Sequence, residues 1–251
     1  MRAEDLRGPQ AARSPQRLAP IVVRRDIEIH RTNPGPYHAR VHFSFGDYQD
    51  PKHMGVGALV ALNHEVHPPA AHLQPRPHVH VQRVTWVVAG ELCHRDLQID
   101  SGVQAGGVQR TTPARRSEDL EWNPLPNTEL VLIELWLSLS RRPVLHAEQR
   151  QYHLDDRRDR WLRIARQHGE TGTGVAVDSD ARVYVAHLDA RRAISHLVAE
   201  GRAGYVYLIA GEAAVNMHAL RTGDAAVVTD AGHVMVDAGA PSELMLVDTA
   251  V

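Results

Sequence analysis

The sequence has one cysteine, Cys93, and one lysine, Lys52, among 251 residues. A lone cysteine cannot close an intrachain disulfide, and no Cys/His grid with zinc-finger spacing occurs. Neither kind of staple organises the fold, and the usage fits a reducing cytoplasm. Cys93 itself reads as a small, half-buried apolar residue. The longest apolar stretch, residues 130–139, is broken by Glu134 and falls well short of the ~20 residues of a membrane span. The chain is therefore expected not to cross a bilayer. The opening mixture of Arg2, Glu4, Asp5 and Arg7 with Pro9 and Pro15 contains no apolar segment, which argues against a secretory signal. Residues 1–26 read as a disordered tail. Nor is there an excess of charge of one sign, since 28 basic side chains face 30 acidic ones. The arginine pairs Arg24-Arg25, Arg115-Arg116, Arg141-Arg142, Arg157-Arg158 and Arg191-Arg192 are scattered and balanced by acids, so they form no basic stripe for direct nucleic-acid binding.

What remains is an ordinary globular composition, 43% hydrophobic, in a chain long enough to bury roughly 70–75% of its unfolded surface. Short segments rich in β-branched residues and bounded by Gly, Pro, Asp or Asn dominate: residues 79–88, 130–139, 182–188, 205–209, 225–229, 233–237 and 244–248. The one amphipathic-helix candidate, residues 155–164, carries a mixed charge run and reads as a solvated connector. An internal repeat is visible. Val87-Val88-Ala89-Gly90-Glu91-Leu92 leads to Gly106-Gly107-Val108, and Leu208-Ile209-Ala210-Gly211-Glu212-Ala213 leads to Gly223-Asp224-Ala225. Each copy reads as strand, tight glycine turn, strand and second glycine turn. The expected architecture is all-β, two barrels or sandwiches spanning residues 27–140 and 165–251, packed through a connector at 141–164.

Histidine is the outlier of the composition, with 17 residues. His64, His67, His72, His78 and His80 fall close together beside a predicted strand. Strand residues of equal parity share a face, so Arg76, His78, His80 and Gln82 are expected to point together into the first barrel. Asp119 and Glu121 form a second such pair after the Gly106-Gly107 turn. If the barrel joins these segments, imidazole, carboxylate and guanidinium groups line one pocket; the alternative is a surface strand with a polar face.

Several motifs carry a resemblance. Phe43-Ser44-Phe45-Gly46-Asp47-Tyr48, Asp50-Pro51, His53-Met54 and Gly57-Ala58-Leu59 resemble the opening signature of the pirin family, whose bacterial members include quercetinase-type bicupins. The likeness continues through Val84-Thr85-Trp86-Val87-Val88-Ala89-Gly90, His94-Arg95-Asp96, Gly106-Gly107-Val108-Gln109, Leu135-Trp136-Leu137 and Glu148-Gln149. In the second half it covers residues 180–184, Gly201-Arg202, Gly211-Glu212, Val215-Asn216, Gly223-Asp224 and 244–248.

The resemblance implies a bicupin whose N-terminal barrel holds iron or another divalent metal on three histidines and one glutamate. Those four positions fall here on Arg76, His78, Asp119 and Glu121, and only His78 and Glu121 keep the ligand type. Arg76 has no lone pair to offer. Asp119 replaces imidazole nitrogen with a hard oxygen, a weaker donor for a redox iron. A guanidinium about 5 Å from a divalent ion costs roughly 6–7 kcal/mol at an effective dielectric near 20, which the Asp119 carboxylate partly offsets. The expected arrangement is an ion pair between Arg76 and Asp119 or Glu121 in the metal's place. A second arrangement uses His78, His80 and Glu121 as a two-histidine, one-carboxylate set, although His80 sits about 6–7 Å along the strand from the Arg76 slot.

The leading expectation is a small-molecule-binding or regulatory protein that has lost the iron, with a small aromatic or flavonol-like ligand or a protein partner. The alternative is a metal-dependent quercetin 2,3-dioxygenase-like oxygenase in which Glu121 acts as ligand or base. His196 and His218 read as structural, and Gly169 to Gly174 as a flexible turn.

Overall fold

The computed structural model describes residues 17–32, 37–74, 80–95, 100–112, 120–143 and 147–251. A first strand, β1 (Ile21–Arg24), is followed by β2 (His30–Thr32), β3 (His38–Val41), β4 (Leu59–His67), β5 (Val81–Ala89), β6 (Glu91–Arg95), β7 (Asp100–Gln104), β8 (Gly107–Thr111), β9 (Leu120–Trp122), β10 (Leu130–Ser138) and β11 (Glu148–Gln151). A single helical turn, α1 (Leu154–Arg157), leads to β12 (Leu162–Gln167), β13 (Val175–Val177), β14 (Ala181–Leu188), β15 (Ala193–Val198), β16 (Arg202–Ala210), β17 (Glu212–Val215), β18 (His218–Arg221), β19 (Ala225–Val228), β20 (Gly232–Ala238) and β21 (Ser242–Ala250). The protein is all-β, with two cupin modules in one chain.

Each module pairs a seven-stranded sheet with a smaller one. In the first, β11-β8-β5-β10-β4-β3-β2 faces β7-β6-β9; in the second, β1-β19-β16-β21-β14-β12-β13 faces β15-β20-β17-β18. The internal repeat marks the same corner twice. Gly90 (φ 81°) turns β5 into β6, and Gly211 (φ 98°) turns β16 into β17. A Cβ would meet the Glu129 carbonyl oxygen at 2.5 Å in one and that of Pro241 at 2.3 Å in the other, so both corners require glycine.

The two large sheets pack face to face. Leu62, Val84, Trp86, Ile133 and Leu135 of the first share one buried cluster with Ile164, Val183, Tyr205, Tyr207 and Val247 of the second. Burial of this apolar area joins the modules directly, rather than through residues 141–164 as the sequence reading supposed. Those residues contribute β11 to the first sheet and the start of β12 to the second. The predicted helix over 155–164 shrinks to α1. Leu162 and Ile164 are instead buried at alternate positions of β12, a period of two.

The expected disordered tail is corrected for residues 21–24. Val22 and Val23 of β1 lie opposite Val227 and Ala226 of β19, so this segment completes the sheet of the second module. Past β1, the Asp26 carboxylate takes Arg31 and Arg40 of the first module while its backbone N–H donates to Asp224 of the second.

Candidate functional site

Strand alternation decides which residues enter the first barrel. On β10, Ile133, Leu135 and Leu137 face the second module, so Leu130, Leu132, Glu134 and Trp136 face inward. Register then stacks the inner wall in layers. Ala61, Trp136, Arg83 and Thr111 lie side by side in one, Asn63, Glu134, Thr85 and Gln109 in the next, and Glu65, Leu132 and Val87 in the third. Five buried apolar residues, Val87, Leu92, Val103, Leu130 and Leu132, form the floor beneath.

The second barrel is filled differently. Seventeen buried apolar side chains occupy it, among them Ile194, Val206, Leu208, Val234 and Leu246. That apolar cluster offers little to orient a ligand, whereas the polar layers of the first barrel carry hydrogen-bonding groups. His196 is engaged by Asp248 at 2.8 Å, consistent with a structural role.

Glu121 reaches this polar interior from the small sheet. Its Oε1 accepts hydrogen bonds from Arg83 Nη2 at 2.5 Å and Gln109 Nε2 at 2.9 Å, and lies 3.3 Å from Nδ1 of His94, its partner across β6 and β9. Arg83 also donates from Nε to Thr111 Oγ1 at 3.1 Å. The Arg83 and Glu121 side chains are 7% and 10% exposed, so the ion pair is shielded from solvent. Glu134, 3% exposed, accepts the indole N–H of Trp136. Phe45 meets Trp136 edge to face, with ring centroids 4.7 Å apart, giving the rim an aromatic wall.

Of the residues picked from sequence, Glu121 is in this cluster. Arg76, His78 and Asp119 lie outside the described residues. His80 is exposed, with φ 62°, a left-handed residue just before β5. The described strand begins only at Val81. Within it Gln82 faces the second module, where its amide donates to Asp178 Oδ2 at 3.1 Å and accepts the Asp178 backbone N–H at 2.7 Å. The inward residue is Arg83. His64 also leaves the pocket, its Nδ1 lying 2.6 Å from the Tyr207 hydroxyl between the modules, while His67 pairs with Glu65 at 2.9 Å. Sequence reasoning missed Arg83, Glu134 and Asn63 as pocket groups. Among the described residues, no three His, Cys, Asp or Glu side chains gather as a metal site would need.

Comparison with known proteins gives this geometry a context. The family model described as Pirin matches residues 24–137, and that described as the quercetinase C-terminal cupin domain matches residues 163–249. The chain belongs to the pirin family. A pirin-like protein of Caulobacter vibrioides is 29% identical over 216 residues, covering 84% of this chain and 92% of that one. The quercetin 2,3-dioxygenase of Escherichia coli K12 is 24% identical over 230 residues, covering 91% and 98%. The crystal structure of the bacterial pirin YhhW from Escherichia coli in complex with nickel(II) superposes with a TM-score of 0.83 at 24% identity, covering 92% of this chain and 99% of that chain. That likeness establishes the bicupin fold. No helix among the described residues is long and apolar enough to cross a membrane.

Proposed function

We propose that this pirin-family bicupin binds a small aromatic, flavonol-like molecule in its N-terminal barrel without iron, and acts as a small-molecule-binding or regulatory protein. One observation carries the reading: the Arg83 guanidinium sits on Glu121, the glutamate that the family's ligand set would use. A carboxylate oxygen already receiving a guanidinium and an amide is a poor metal donor, and a cation at that distance opposes a divalent ion. Arg76, at another ligand position, has no lone pair to add. The described donors therefore do not suit iron. Aromatic Trp136 and Phe45 above polar Glu134, Gln109 and Thr85 suit a flat ligand with hydroxyl groups.

The second reading, a quercetin 2,3-dioxygenase-like oxygenase with Glu121 as ligand or base, is favoured by the name of the Escherichia coli relative and by the nickel complex of YhhW. Quercetin fluorescence titration with and without chelator, alongside metal analysis and oxygen uptake, separates the two. The binding reading expects quercetin affinity unchanged by chelator and no oxygen consumption. Stoichiometric metal together with quercetin-dependent oxygen uptake that is lost in His78→Ala would replace it with the oxygenase.

A further inference from the structure

The structural contact of His196 uses only one of its two ring nitrogens. On β15, the edge of the four-stranded sheet, Ile194 and Val198 are buried in the second barrel, and His196 stands between them on the same face. Its Nε2 meets Oδ2 of Asp248 on β21 at 2.8 Å, and its ring lies against that of Tyr184 on β14, centroids 4.9 Å apart. Asp248 also receives Arg202 Nε, and Arg202 Nη1 donates to Asp180 at 2.8 Å. Burial alone would raise the Asp248 carboxyl, but the hydrogen bonds from His196 and Arg202 hold it below its ordinary value. A carboxylate only accepts, so Nε2 carries the ring proton and the neutral ring keeps its lone pair on Nδ1.

This flank of the barrel is open. The small sheet stops at β15. On the inner face of β14, Ala186 and Leu188 are fully buried, whereas Tyr184 and Arg182, the next positions on that face, are partly exposed. The His196 side chain is 14% exposed. Its Nδ1 has no hydrogen-bond partner among the described residues and, in contrast to Nδ1 of His187 and His233, is in contact with solvent. The Tyr184 hydroxyl is likewise unpartnered and wet. Burial, with the Asp248 charge adding to it, raises the Tyr184 phenol above its ordinary value, so the hydroxyl stays a donor.

We propose that this flank is an acyl-transfer site for small aryl esters, with His196 as nucleophile, Tyr184 as donor to the oxyanion and Asp248 positioning the ring. It lies in the second barrel and does not depend on the flavonol reading of the first. The Nδ1 lone pair attacks the ester carbonyl carbon, a C–N bond forms, and the aryl oxide leaves with the electron pair of the broken C–O bond. The Nε2 proton stays on its hydrogen bond to Asp248, whose charge offsets that of the acyl-imidazolium. Tyr184 donates to the carbonyl oxygen while that atom carries negative charge. Water then adds to the acyl carbon, the C–N bond breaks, and the carboxylic acid and one proton leave. Chemistry restricts the substrate to aryl esters, because an imidazole is itself expelled before an alkoxide would be. A small acyl group needs only the open flank, not an enclosed cavity.

The probe is p-nitrophenyl acetate, with nitrophenolate release followed at pH 7.5 on the chelator-treated full chain. Wild type is expected to turn over at least about tenfold faster than His196→Gln, which keeps a donor for Asp248 but has no nucleophilic nitrogen. Tyr184→Phe should lower kcat about tenfold and leave KM nearly unchanged. Asp248→Asn can turn the ring proton onto Nδ1, so it should lower the rate about tenfold and show the tautomer change by nitrogen-15 NMR. Should the variants fail to fold, diethyl pyrocarbonate makes the test on the wild-type chain. Carbethoxylation of His196, located by peptide mass mapping, should abolish turnover. Turnover equal in wild type and His196→Gln, turnover that survives carbethoxylation of His196, or no turnover above buffer would confine His196 to its structural contact and overturn the proposal.

Discussion

Arg83 and Glu121 meet across the inside of the first barrel, the one on its seven-stranded sheet and the other on its three-stranded sheet, with 2.5 Å between Nη2 and Oε1. The pair closes the barrel as well as filling it. Arg83→Met leaves a buried carboxylate without its cation, and about 3 kcal/mol of stability should be lost in urea unfolding. Adding Glu121→Gln should recover most of that loss. Purely additive effects in the double-mutant cycle would show that the two residues do not depend on each other.

On the proposed assignment of Arg76 and Asp119 to ligand positions, restoring a metal site requires more than those positions. Arg76→His with Asp119→His then supplies two imidazoles but leaves Arg83 on Glu121. The triple variant that adds Arg83→Thr should bind nickel(II) at least about tenfold more tightly than the double variant by calorimetry. Equal affinities would mean that Arg83 does not compete for the glutamate.

Between the modules, burial holds the His64 imidazole down to about 4, with Arg40 adding to the effect, and lowers His42 well below its ordinary value, with Arg24 adding to it. Both pKa values are lower in the folded chain than in the unfolded one, so their contribution is complete above about pH 6.5 and is lost as pH falls, for His64 down to about 4. Between pH 6.5 and 5 the buried His64 should cost about 2 kcal/mol of stability, and His42 acts in the same direction. Urea unfolding at pH 7.5, 6.0 and 5.0 should show this slope, and His64→Phe should reduce it. A flat profile would mean that the two rings take up protons without separating the modules.

Gln82 and Arg83 are adjacent in sequence but serve opposite faces of β5. Gln82→Met should cost about 1–3 kcal/mol, because Asp178 loses an amide partner on both its side chain and its backbone. Quercetin affinity should not change, since that side chain faces away from the pocket. A matching drop in affinity would place Gln82 inside the barrel.

Much of the strand inventory was legible because apolar alternation is strong where one face is buried. The segment expected at 130–139 is β10, Leu130–Ser138, and that at 205–209 lies within β16. The glycine corners of the repeat were legible for a steric reason that leaves no choice of residue. The pocket was harder to read. Gln82 and Arg83 put a polar side chain on each face of β5, so pattern alone could not say which turned inward. β5 also starts only after His80, a left-handed residue that nothing local announces. β1 was invisible for a different reason, since four residues find their strand about two hundred positions away.

That last pairing sets an order on biosynthesis. At about 5–20 residues per second, the ribosome needs roughly 10–40 s after finishing Ile21–Arg24 to deliver β19. Throughout that interval the first module emerges with its leading segment unmatched. The sheet that will accept β1 does not yet exist. The sheets of the first module, β2 to β11, can pair before then, whereas that of the second is complete only when β1 folds back onto β19.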